Sequence, residues 1–105
     1  MVKKKLPVRW SPKALQRLND IYDYIAGDSV SAARYVKKSL VQLGSTLGQF
    51  PEKYSKEEYL AEVPGNFRSV SKWRYKLIYE VTEEFVIIIN VFSTDQRPSK
   101  IKRDK

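Results

Sequence analysis

The run Phe85-Val86-Ile87-Ile88-Ile89-Asn90-Val91-Phe92 constrains the fold of this chain more than any other segment. Successive side chains of a strand point to opposite faces. Here both faces are apolar, so the segment needs cover on two sides and belongs in the middle of a sheet. Two further strands are predicted before it, over 67–73 and 75–81. The second is separated from the apolar run by Thr82-Glu83-Glu84, a polar break of hairpin length. Tyr75, Leu77, Tyr79 and Val81 share one face, with Lys76 and Glu80 on the other. Three consecutive strands imply a mainly antiparallel sheet.

The first half of the chain supplies the cover for one face. Val8-Arg9-Trp10 reads as a short strand closed by Ser11-Pro12, where the serine accepts from orphan amides and the proline suits a first helical turn. Ala14, Leu15, Leu18, Ile21, Tyr22 and Ile25 then recur at helical spacing, and Gly27 ends a helix over about 12–26. Asp28 or Ser29 caps a second helix, whose apolar stripe is Ala33, Val36, Leu40, Leu43 and Leu47 and which Phe50-Pro51 ends. Gly-Asp-Ser between the two makes them a helical hairpin. From Glu52 to Pro64 the chain is polar, with Lys53, Lys56, Glu57, Glu58 and Glu62 among Tyr54, Tyr59 and Leu60, which reads as a surface connection. The order strand, helix, helix, strand, strand, strand predicts an α+β fold in which the helical hairpin packs on one face of a small, mainly antiparallel sheet. The other face is left open as a place for a partner. A chain of 105 residues makes one domain, with flexible basic ends expected at about 1–5 and 100–105.

Composition removes most chemistries. With no histidine and no cysteine, Ser-His-Asp and Cys-His nucleophiles, disulfides and thiolate or imidazole metal sites are excluded. None of the four glycines makes a phosphate cradle, and Glu57, Glu58 and Glu62 read as a solvated face, so no metal and no cofactor are expected. Twenty lysines and arginines against 12 acids give a formal charge of +8, which favours a polyanion or an acidic protein as partner. No stretch approaches the roughly 20 apolar residues of a membrane span, and no signal-peptide core follows the basic start, so a cytoplasmic location is expected.

What remains is a set of cations on and after the strands: Arg68, Lys72, Arg74, Lys76 and Arg97. Alternation places Arg68, Val70 and Lys72 on one face and Phe67, Ser69, Ser71 and Trp73 on the other, and Arg97 follows the last strand. Two chemistries are open. Arg68, Lys72 and Arg97 could bind a phosphate and stabilise charge on a scissile phosphoryl, as a metal-independent endoribonuclease, if a tyrosine or a lysine of depressed pKa served as base. Alternatively, Arg68, Lys72, Arg74, Lys76 and Arg97 form a basic face that matches an acidic protein surface. Glu80 reads as half of an exposed pair with Lys76, and Trp10 and Trp73 as core or edge packing rather than base-stacking platforms.

The motif Trp10-Ser11-Pro12-Lys13-Ala14 leads into Leu18-Asn19-Asp20-Ile21-Tyr22-Asp23-Tyr24-Ile25-Ala26, and Asp28-Ser29 then opens a helix containing Ala33. Phe50-Pro51, Val63-Pro64-Gly65-Asn66-Phe67-Arg68, residues 75–81, and Val91-Phe92 through Arg97-Pro98 follow in order. Together they resemble the ParE branch of the RelE/ParE toxin superfamily of type II toxin–antitoxin and plasmid stabilisation systems, over about residues 6–101. The resemblance implies a toxin held inactive in a hetero-oligomer with a cognate acidic antitoxin. It also implies one of two targets: DNA gyrase, as in the ParE branch, or the ribosome and its mRNA, as in the RelE branch. Arg97 falls where the RelE branch has an arginine after its last strand. Ser71 stands where a strand arginine would be expected, and no tyrosine follows Tyr79. These departures and the first-helix pattern favour ParE, with Arg68 and Arg97 as the positions expected to matter most.

Overall fold

The computed structural model describes residues 5–93. Its elements are β1 (Val8–Trp10), α1 (Pro12–Ala26), α2 (Val30–Ser45), β2 (Phe67–Lys72), β3 (Tyr75–Val81) and β4 (Val86–Ser93), with short 3-10 turns at Thr46–Gly48 and Glu58–Leu60. The four strands form one sheet in the order β1-β4-β3-β2. The apolar run is therefore central, as its two-sided hydrophobicity demands. β2 and β4 are antiparallel to β3, while β1 runs parallel to β4 in the register Val8↔Val86 to Trp10↔Ile88.

Serine caps set both helices. Ser11 Oγ accepts from the Ala14 amide at 3.0 Å and donates to the Ile89 carbonyl at 3.1 Å, so one side chain starts α1 and ties that start to the central strand. Ser29, rather than Asp28, caps α2, accepting from the Ala32 amide at 3.2 Å. α2 stops at Ser45, earlier than Phe50-Pro51, and the chain tightens into the 3-10 turn. Gly48 in that turn accepts a hydrogen bond from the Leu6 amide at 2.9 Å, and a Cβ there would collide with the Leu6 carbonyl.

Two cores sandwich the sheet. On the helix side, Ala14, Leu47, Val70, Leu77, Tyr79, Val86, Ile88 and Val91 pack together, with Trp10, Ile21 and Leu43 around them. Leu15, expected on this face, is instead 47% exposed. A bulge in β4 serves both sides. Tyr79 pairs with Ile88 and Ile78 with Asn90, which leaves Ile89 as the extra residue. Buried Asn90 accepts from the Val91 amide at 2.9 Å through its own Oδ1. The slip sends Val91 back to the helix side and Phe92 to the opposite core, which Ile89 also faces.

That opposite core corrects the expectation of an open face. Leu60, Phe67, Ile78 and Phe92 are buried there with Val63 and Ile89 against them, so the 52–64 connection crosses the sheet as a strap. Two apolar side chains, buried Leu60 and partly buried Val63, help to hold it down, full burial of such a side chain being worth about 1.5–3 kcal/mol. They are too few and too irregularly spaced to stand out among the surrounding charges. Nearer β1 the face is less covered: Phe85 and Ile87 are half-buried, and the Arg9 guanidinium lies 4.5 Å above the Phe85 ring. Among the described residues no helix is long and apolar enough to cross a membrane.

Candidate functional site

The strand cations occupy three different settings. Arg68 shares the helix-side face with Val70 and is bound into the start of the strap. Its Nη1 donates to the Tyr54 carbonyl at 2.8 Å and to the Glu52 carbonyl at 3.4 Å, its Nε donates to Asn66 Oδ1 at 3.1 Å, and its Nη2 lies 3.4 Å from Glu52 Oε2. Its side chain is 13% exposed. The strap also runs along the outer edge of β2: Lys56 bridges to Arg68, the Glu57 amide donates to the Phe67 carbonyl at 2.9 Å, and the Ser69 amide donates to the Ser55 carbonyl at 3.3 Å. Arg68 is thus the organiser of the strap.

Lys76 projects from the opposite face, beneath the strap. Its Nζ lies 2.9 Å from Oε1 of Glu57 and 5.5 Å from the centre of the Tyr59 ring. Glu57 Oε2 accepts from the Tyr59 amide at 3.1 Å, which starts the 3-10 turn carrying Leu60. Glu57 is therefore a buried acid with a fixed cation, not part of a solvated face, and it takes the partner role expected of Glu80. A buried carboxylate persists only when it is paired and hydrogen-bonded, and both conditions are met here.

Lys72 and Arg74 flank the turn between β2 and β3. Lys72 pairs with Tyr75 across the strands, which leaves a two-residue turn of Trp73 and Arg74. Trp73 has φ 54°, and no other non-glycine among the described residues has a positive φ. It is 52% exposed, which corrects the expectation that it packs in the core or along an edge. The Lys72 Nζ lies 5.0 Å over its ring, and the ring of Tyr35 on α2 lies 5.8 Å from it at 44°. Beside the turn is a groove of about 290 Å³ lined by Asp20, Ile21, Tyr24, Arg74, Tyr75 and Ser93. Trp10, by contrast, packs against the helix-side core as expected.

Of the cations singled out from the sequence, the four among the described residues, Arg68, Lys72, Arg74 and Lys76, do not assemble into one patch. Arg68 and Lys72 do share a face, but one is enclosed and the other stands at the turn. Lys76 lies across the sheet from both. Arg97, the basic ends at 1–4 and 100–105, and any meeting of Arg97 with the strand cations fall outside the described residues; Lys5 is exposed. The residues missed from sequence are Glu57 and Trp73, and neither has a local signal. Glu57 needs a cation 19 positions away, and the turn at Trp73 contains no glycine or asparagine.

The one perturbed tyrosine also bears on the chemistry. Tyr79 donates its hydroxyl to the Pro51 carbonyl at 3.2 Å, and burial pushes its pKa up to about 12 against the opposing pull of Arg68. A phenol moved in that direction is a weaker candidate for a general base near neutral pH.

A model of the ParE toxin of the type II toxin–antitoxin system, parDE, matches residues 8–98. The chain belongs to the ParE toxin family. It is the toxin component of such a system by that membership, and the α+β arrangement is the one the family resemblance implied. A solved structure titled "Chromosomal ParDE TA system from P. aeruginosa" has the same fold as this ParE-family chain, with a TM-score of 0.69. The two are 22% identical, and the match covers 85% of this chain and 96% of the other. No curated protein gives a significant match.

Proposed function

We propose that this ParE-family toxin acts by binding DNA gyrase, and that a cognate acidic antitoxin holds it inactive. The observation that carries the choice is the setting of Arg68. Arg68 is one of the three cations a nuclease reading needs, and its guanidinium is committed to Glu52, Tyr54 and Asn66. Tyr79, which pairs with Arg68 across β2 and β3, has its pKa moved upward, away from that of a base working near neutral pH. Macromolecular docking makes no demand for such a base. The formal charge of +8 suits an acidic antitoxin, because complementary fields speed association and reduce the charge of the complex.

The test is a supercoiling assay with purified gyrase and purified toxin. The expected result is loss of supercoiling that an acidic antitoxin from the adjoining reading frame restores. Unimpaired supercoiling at molar excess overturns the reading. Primer extension on mRNA after induction is expected to show no new cleavage sites, and new sites would restore the ribosome-dependent nuclease.

A further inference from the structure

Trp73 occupies a position that folding alone does not explain. The first residue of a two-residue hairpin turn with positive φ is a place for glycine, because any Cβ is crowded there. A bulky side chain in that conformation carries a cost on the order of 1–3 kcal/mol. Burial does not offset it, since Trp73 is 52% exposed and Ser71, Lys72 and Arg74 around it are exposed as well. Among the described residues, the strap pairs with the outer edge of β2 at its start, through Phe67, Arg68 and Ser69, and the far end of the β2–β3 hairpin lies beyond those contacts.

The same ring nonetheless has neighbours on it. Tyr35, itself 64% exposed, lies against it at 5.8 Å, and the Lys72 ammonium covers it at 5.0 Å. An aromatic side chain that is presented to solvent and already packed against neighbours has less freedom to lose on binding, which favours its use as an interface anchor. Tryptophan and tyrosine are also among the residue types enriched at such anchors.

We propose that the tip formed by Trp73, Tyr35 and Lys72 inserts into an acidic-rimmed, concave pocket on the toxin's protein target. The proposal rests on the gyrase reading above and names the surface that serves it. Shape selects the occupant. A convex turn needs a concavity, which a large folded enzyme offers. A second copy of this chain is disfavoured because it would bring Lys72 and Arg74 against a molecule that itself carries +8. Single-stranded nucleic acid fits the charge, but the two rings meet at 44° and leave no parallel slot for a base.

Three proteins test it: the wild type, Trp73→Gly and Lys72→Glu. Each is assayed for gyrase inhibition, thermal midpoint and binding to antitoxin. Relief of the turn offsets the lost ring contact in Trp73→Gly, so its midpoint is expected within about 4 °C of wild type, while its half-inhibitory concentration rises about 30-fold, the scale of an interface hot spot. Lys72→Glu, which leaves the turn unchanged, is expected to weaken inhibition about tenfold or more through charge reversal. Antitoxin binding stays within about threefold for both. If Trp73→Gly unfolds, Trp73 is a structural staple and the proposal is overturned unless Lys72→Glu loses inhibition with its fold intact. Equal inhibition by all three proteins overturns the proposal and leaves the target reading standing. Loss of antitoxin binding alone, or of salt-sensitive binding to single-stranded DNA alone, assigns the tip elsewhere and also overturns it. A wild-type protein without effect on gyrase removes the target reading and the proposal with it.

Discussion

Lys76 Nζ lies 2.9 Å from Oε1 of Glu57, and the Glu57 side chain is 1% exposed against 21% for Lys76. The pair joins the sheet to the strap, so its loss is felt on both. Lys76→Met would leave a buried carboxylate without its cation, and the expected destabilisation is about 3 kcal/mol. The double variant Lys76→Met/Glu57→Gln removes the charge but keeps an acceptor for the Tyr59 amide, and is expected to recover more than half of that. Urea unfolding midpoints compare the three proteins, and equal loss in the single and double variants would show that the ion pair is not the source.

Arg68 sits at the other end of the strap and makes a different demand. Its fork reaches two carbonyls and two side chains at once. Arg68→Ala is expected to cost about 2 kcal/mol and to speed proteolytic cleavage within residues 52–64. Arg68→Lys recovers less than half, because a single ammonium cannot match the planar fork. Limited proteolysis followed by mass mapping of the first cut checks both statements.

The helices and the central strand were legible because each carries a local signal. Ser11-Pro12 and Ser29 mark the helix starts, and the apolar run has no polar face to offer to solvent. The strap was not legible. Its anchors, Leu60 and Val63, are embedded among Lys53, Lys56, Glu57, Glu58 and Glu62, and the burial of Glu57 depends on a lysine that alternation delivers from β3. The division of the cations follows from the same fact. Lys76 faces away from Arg68 and Lys72 by simple alternation, but whether that face is open or covered is decided by the strap. The bulge at Ile89 and the turn at Trp73 are backbone features without the glycine that would advertise them.

The docking of the N-terminal segment depends on the absence of a side chain at Gly48. A Cβ there meets the Leu6 carbonyl, backbone that cannot swing aside, and the Val8 side chain lies 3.2 Å from the same point. Gly48→Ala is expected to destabilise the fold by about 2 kcal/mol or more. In hydrogen exchange, the Leu6 amide is expected to lose protection first.

Tyr79 links stability to alkaline pH. Its folded pKa of about 12 exceeds the unfolded value of 10.0, so between those limits the unfolded chain releases a proton that the folded one retains. The contribution is fully present below pH 10 and is lost as pH rises toward 12. Tyr79→Phe is expected to be about 1 kcal/mol less stable at pH 7, from the lost bond to Pro51, but to show a shallower decline above pH 10. Parallel slopes for the two proteins in that window would assign the alkaline loss to other groups.

The pairing of β1 with β4 has a consequence for synthesis. The first strand to leave the ribosome has as its only neighbour the last one made, and β3 likewise waits for β4 to complete its second edge. A nascent or stalled chain that ends before Val86 has a helical hairpin and at most a two-stranded ribbon, which is marginal alone in water. The toxin therefore closes its sheet only after the residues of β4 have left the ribosome, so the strand order itself delays the fold until its central strand has been made.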